Sequence, residues 1–180
     1  MTTLLQHIES LNAEKQAWLD ANPGSWTGMI TTDLAHWAEY GVHTVEDFKR
    51  HELESFIWDA YKDAYGIRPR FMDFEAMSME ELQKEADQVA EAAREQYELE
   101  VAQTEADLRE FKELVQKTID MGAGDEDTAL RWLTQGDDFY HGQDVEHWVW
   151  NRGILFTDYG RELVKRLENI VEFTEWEAAA

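Results

Sequence analysis

Apolar residues along this chain recur at intervals of three and four, the spacing of one helix face. Leu4, Leu5, Ile8, Leu11, Trp18 and Leu19 form an interrupted stripe that predicts a helix from Thr3 to Ala21, closed by Asn22-Pro23-Gly24. A short helix is predicted over Asp33 to Tyr40, with Thr32 as its cap and Gly41 at its end. Thr44 opens a longer one, Val45 to Tyr65, whose buried face draws on Phe48, Phe56, Ile57, Tyr61 and Tyr65. Gly66 suits its left-handed terminus. Ser78-Met79-Glu80-Glu81 reads as a capping box. It starts a helical stretch, 78–121, with no glycine or proline inside until Gly122. Leu82, Ala86, Val89, Ala93, Tyr97, Val101, Leu108, Phe111, Val115 and Ile119 supply its stripe, which thins between Ala86 and Ala106. Unbroken, it would be about 64 Å long, so part of it is expected to project, bend or meet a second subunit.

Gly122-Ala123-Gly124 breaks this helix, and Asp125 or Asp127 restarts a short one through Ala129, Leu130, Trp132 and Leu133. Asp144 to Arg152 predicts another short helix, and Thr157 caps a last one from Asp158 to Trp176. No alternating strand pattern of useful length and no internal repeat is present. The fold class expected is all-α: one domain over residues 1–180, a helical bundle with a long, partly projecting acidic helix, and residues 122–180 packing on the N-terminal part. Trp18, Trp37, Trp58, Trp132 and Trp148 fall on apolar helical positions and are expected in the core. Trp26 lies in a loop, and Trp150 and Trp176 are expected to be partly exposed.

Composition supports a folded chain. Hydrophobic residues make up 43% of it, with eight Trp, eight Phe and six Tyr, which is enough for a core. The absence of cysteine removes disulfides, thiolate metal sites and cysteine nucleophiles, and fits a reducing compartment. Met1 to Leu11 lacks the layout of a signal peptide, and no apolar run approaches the roughly 20 residues that span a bilayer. A cytoplasmic location is the expectation.

Charge changes the picture most. Thirty-nine acids against 16 bases leave −23, which argues against direct binding to nucleic acid or anionic membranes and favours a basic partner. Residues 71–130 hold 18 acids and five bases, a balance of −13. Asp87, Glu91, Glu95 and Glu98 stand four, four and three residues apart, and Glu105 continues the stripe after a gap. On a helix these carboxylates rise by roughly 5–6 Å per step, close to the spacing of successive phosphates on one nucleic-acid strand. Three readings stay open: a solvated face, phosphate mimicry, and contact with a basic protein of another kind.

Other candidates carry weaker signals. Arg68 and Arg70, directly after a helix C-terminus, satisfy its free carbonyls and negative dipole end, or form an anion clamp. Asp137, Asp138, His141, Asp144 and His147 offer five possible metal ligands within eleven residues, but match neither a His-Glu-x-x-His site nor an EF-hand loop. Turn chemistry and capping account better for these acids. His36, His43 and His51 lack a nucleophile elbow, and no glycine-rich phosphate loop exists. No catalytic residue, metal or cofactor is expected, and a metal-dependent enzyme using the His141 region is the third-ranked reading.

The segment Tyr61-Lys62-Asp63-Ala64-Tyr65-Gly66-Ile67-Arg68-Pro69-Arg70 resembles one that recurs in small uncharacterised proteins of tailed bacteriophages, over about Asp59 to Phe74. That resemblance implies a phage or prophage origin and carries no residue roles. In charge, helix content and lack of cysteine the chain is also similar to acidic phage DNA-mimic anti-defence proteins, without a shared motif. The two resemblances imply an inhibitor of a basic, DNA-binding host protein, acting in the host bacterial cytoplasm. The alternative is a non-enzymatic assembly protein that dimerises through its long helix.

Overall fold

The computed structural model describes residues 2–174. The chain is all-α: seven α-helices and no strand among the described residues. They are α1 (Leu4–Ala21), α2 (Leu34–Glu39), α3 (Val45–Tyr65), α4 (Met79–Thr118), α5 (Glu126–Thr134), α6 (Gly142–Trp150) and α7 (Asp158–Leu167). None is long and apolar enough to cross a membrane.

The helix starts follow the side chains able to satisfy free N–H groups. Thr3 with Gln6 and Thr44 with Asp47 form reciprocal capping boxes. Ser78 does the same with Glu81: the Glu81 N–H donates to Ser78 Oγ at 3.2 Å, and the Ser78 N–H donates to Glu81 Oε2 at 2.7 Å. Gly66 ends α3 at φ 73°, in the left-handed region. The cap of α2 is Asp33, not Thr32: its carboxylate accepts from the Ala35 N–H at 2.9 Å. The α4 register gives way at Ile119–Ala123 to one π-helical turn, in which Gly122 takes φ 124°.

The chain divides into two compact units, Met1–Tyr97 and Glu98–Ala180, with α4 contributing to each. The first unit has two buried clusters. Leu4, Ile8, Trp37, Val42 and Phe48 join α1, α2 and the start of α3. The Trp37 indole N–H donates to the Thr31 carbonyl at 2.8 Å, and the Asn12 amide exchanges two bonds with the backbone of Ile30. Ile57, Ala60, Leu82, Ala86 and Val89 join α3 to the first turns of α4. The buried face of α3 therefore runs through Leu53, Ile57, Ala60 and Ala64. Phe56 stands roughly 70° and Tyr65 roughly 110° from the middle of that face, and both are exposed.

The second unit has one larger cluster, built from Phe111 and Val115 of α4, Leu130 of α5, Val145, Trp148 and Val149 of α6, and Leu163 and Leu167 of α7, closed by Phe139 and Ile154. Close approach is built into α7: a Cβ on Gly160 would lie 1.9 Å from the Ile154 carbonyl oxygen. Arg166 clamps α7 to the start of α5 through Glu126 (2.9 Å) and Asp127 (2.6 Å).

Three further features of the structure differ from the sequence expectation. The last helix stops at Leu167, nine residues short of Trp176, which itself lies outside the described residues. Ile170, Val171, Phe173 and Thr174 prefer extended backbone, and Phe173 forms an isolated bridge to Phe139, with the Thr174 N–H donating to the Phe139 carbonyl at 2.7 Å. Trp18 and Trp132 are about half exposed, at 49% and 48%. Only the first half of α1 carries buried residues, Leu4 and Ile8, and α5 turns Ala129, Leu130 and Thr134 inward instead of Trp132. Third, α6 begins at Gly142, with His141 as its cap.

Candidate functional site

The acidic stretch of α4 is a continuous α-helix, and Asp87, Glu91, Glu95, Glu98 and Glu105 are all exposed on it. The first three belong to the first unit and the last two to the second. Two have near partners: Asp87 accepts from the Gln83 amide at 2.9 Å, and Glu91 pairs with Arg94. From Glu95 to Asp107 the sequence holds five acids and no base. Every residue from Tyr97 to Gln103 is exposed, so the helix is solvated on all sides there. The apolar stripe that is buried at Leu82, Ala86 and Val89, and again at Phe111 and Val115, comes to the surface between them at Tyr97 and Val101.

The Arg68–Arg70 segment turns on Pro69, whose side chain is fully buried. Tyr61 packs on Tyr65 at 4.5 Å and edge-on to Phe71 at 5.7 Å, so this segment wraps the second cluster of the first unit. Arg68 is committed to Asp59 at 2.6 Å and lies 5.8 Å over the Trp58 ring. Arg70 is exposed and has no ion-pair partner among the described residues. The two arginines therefore stand in different situations, one already holding a carboxylate and one open to solvent.

The residues around His141 take local duties. Asp144 Oδ2 accepts from the Tyr140 N–H at 2.8 Å and the His141 N–H at 3.0 Å, and lies 3.1 Å from His141 Nδ1. The Tyr140 N–H, then the His141 N–H and the neighbouring imidazoles, hold its carboxyl below the ordinary aspartate range. Asp137 is exposed, and its carboxylate accepts from the Trp148 indole N–H at 2.7 Å. His147 stacks on Trp150 at 5.4 Å. Among the described residues no three such side chains gather in a metal-holding arrangement.

Sequence reasoning missed a fourth feature. The Arg152 guanidinium lies 3.1 Å over the Trp148 ring and donates to the Trp148 carbonyl at 2.7 Å, and burial lowers its pKa from the ordinary arginine value. Beside it an open groove is lined by Asp107, Glu110 and Leu114 of α4 and by Trp150 and Gly153. The one available signal was the i, i+3, i+7 spacing of the three α4 positions, which is hidden in a helix where acids are everywhere. Comparison of the chain with protein-family models, with curated proteins and with solved structures returns no match.

Proposed function

We propose that this protein is a non-enzymatic inhibitor that presents carboxylates in place of nucleic-acid phosphates to a basic, DNA-binding protein, and that it is phage-encoded and acts in a host bacterial cytoplasm. The observation that supports this most is the exposure of Asp87, Glu91, Glu95, Glu98 and Glu105 on one uninterrupted helix, with only Glu91 ion-paired. A purely structural helix face gains from Glu–Lys pairs at i, i+4. Here five successive acids between residues 95 and 107 have no intervening base. Such a surface repels nucleic acid and attracts a protein surface that is itself built to hold phosphates.

The test is capture of a purified basic DNA-binding protein at low and high salt, with duplex DNA as competitor. The mimic reading expects capture that weakens steeply with salt and is displaced by DNA, because association neutralises many weak charges at once. Replacing Glu91 alone by Gln should have little effect. Replacing Asp87, Glu91, Glu95 and Glu98 together by Asn or Gln should abolish most of the binding and flatten its salt dependence. Binding by the quadruple variant that equals the original at every salt concentration would leave the stripe a solvated face.

A second reading rests on different residues. Tyr97 and Val101 are exposed four residues apart on one face of α4, and an assembly protein would dimerise through them. That contact would tolerate salt, and light scattering that gives a dimer mass at high salt would favour it.

A further inference from the structure

The groove in the second unit is not used by the α4 stripe. Asp107, Glu110, Phe111 and Leu114 stand at i, i+3, i+4 and i+7, so α4 turns one face into it. Phe111 is buried beneath, while Leu114 and Trp150 expose apolar surface at the edges, Trp150 at 54%. Gly153 brings the facing turn in: at φ 70° it has no Cβ, and one would lie 2.1 Å from Asp107 Oδ2. Asp107 accepts from the Gln103 amide at 2.7 Å, and Glu110 has no hydrogen bond or ion pair to its carboxylate among the described residues. Arg152 also borders the groove, but its guanidinium is spent on the ring and carbonyl of Trp148.

We propose that this groove receives one arginine side chain of the protein partner, its stem along Phe111 and Leu114 and its guanidinium between the Asp107 and Glu110 carboxylates and the Trp150 indole. The proposal rests on the reading above that the partner is basic. Arginine suits the surroundings better than lysine: its planar fork can engage two carboxylates and an aromatic face together, while an ammonium acts as a point charge. The fold already holds a guanidinium on an indole one turn away, at Arg152 and Trp148. Anionic ligands are excluded by the two carboxylates and by the charge of α4. Tryptophan and arginine are also the residues on which binding energy concentrates at protein interfaces.

The experiment is an NMR titration of the full chain with N-acetyl-arginine amide, following backbone amides and indole N–H signals. Saturable shifts are expected at the Trp150 indole and at residues 107–114 and 150–153, with N-acetyl-lysine amide binding more weakly. Asp107→Asn with Glu110→Gln should weaken arginine binding on the order of five-fold, the range of two exposed charge contacts. Trp150→Ala should remove the preference for arginine over lysine. If a Trp150 variant fails to fold, the carboxamide pair still decides the matter, because Glu110 is exposed, Asp107 is only half-buried, and Asn and Gln keep their shapes. Shifts spread evenly over Glu98, Glu105 and the other acids without saturation, or binding unchanged in the double variant, would overturn the proposal. The four stripe positions altered in the capture test are not groove residues, so the stripe can fail while the groove binds arginine, and the reverse.

Discussion

The two units solve the same problem with different means. In the second, thirteen buried apolar residues form one cluster drawn from four helices and the turns between them, and an ion-paired arginine ties α7 to α5. In the first, the buried residues fall into two clusters of five, and much of the order comes from caps and side-chain bonds to loops, as at Asn12, Trp37 and Arg50. A large cluster gives each member many neighbours, so each loss there leaves a larger cavity. A small cluster spreads its risk among hydrogen bonds that are individually worth about 1 kcal/mol. The helix that belongs to both units is buried in each by a different set of partners.

Four measurements test this contrast. The largest effect is expected from Gly160→Ala, since the added Cβ would press on backbone that cannot swing aside. Urea unfolding should register a loss of about 4 kcal/mol, with hydrogen-exchange protection lost first in residues 98–174. A cost under about 1 kcal/mol would mean that α7 and the Ile154 turn are not closely packed.

Paired truncations come next. Leu130→Ala should cost about 3.5 kcal/mol and Leu82→Ala about 2.5 kcal/mol, because Leu82 has fewer buried neighbours to leave stranded. Equal costs would remove the distinction between the units.

A smaller effect is expected in alkali, from Tyr159 in the second unit. The Tyr159 hydroxyl donates to Glu126 at 3.1 Å, and burial, then the Glu126 charge, pushes its pKa up to about 12. The folded state thus favours the neutral phenol. Its contribution is complete below the ordinary tyrosine value near 10 and is lost as pH rises towards 12. Thermal melts of the wild type should fall over that window more steeply than those of Tyr159→Phe, and parallel curves would refute the assignment.

The smallest effect concerns the carboxylate stripe. Replacing Asp87, Glu91, Glu95 and Glu98 together by Asn or Gln should change stability by no more than about 0.5 kcal/mol per site, with relief of like-charge repulsion favouring a small gain. A large loss would show that these acids hold the fold, and would remove them as a binding surface.

Much of this architecture was legible in the sequence because its signals are local. Thr44, Ser78, Thr157 and Gly66 act within three or four residues of themselves, and each stands where the sequence placed it. What could not be read is what depends on distant chain. Trp18 and Trp132 occupy apolar helical positions, but the described residues cover only about half of each. The α7 terminus depends on Phe173 meeting Phe139, thirty-four residues earlier. The α4 stripe was visible as charge, and its exposure agrees with the thinning of apolar residues beside it. The groove at Trp150 was invisible, because it needs the turn at Gly153 brought against Asp107.

The seven exposed residues from Tyr97 to Gln103 have a further consequence for how the molecule comes apart. With no side chain there buried, opening one turn costs only helix propensity and the local backbone bonds, whereas opening α4 at Val89 or Val115 would also expose core. A protease that cuts after glutamate finds Glu98 and Glu100 inside this stretch. Limited digestion under native conditions should therefore begin there and release two long fragments, parted within a few residues of the boundary between the two packed units.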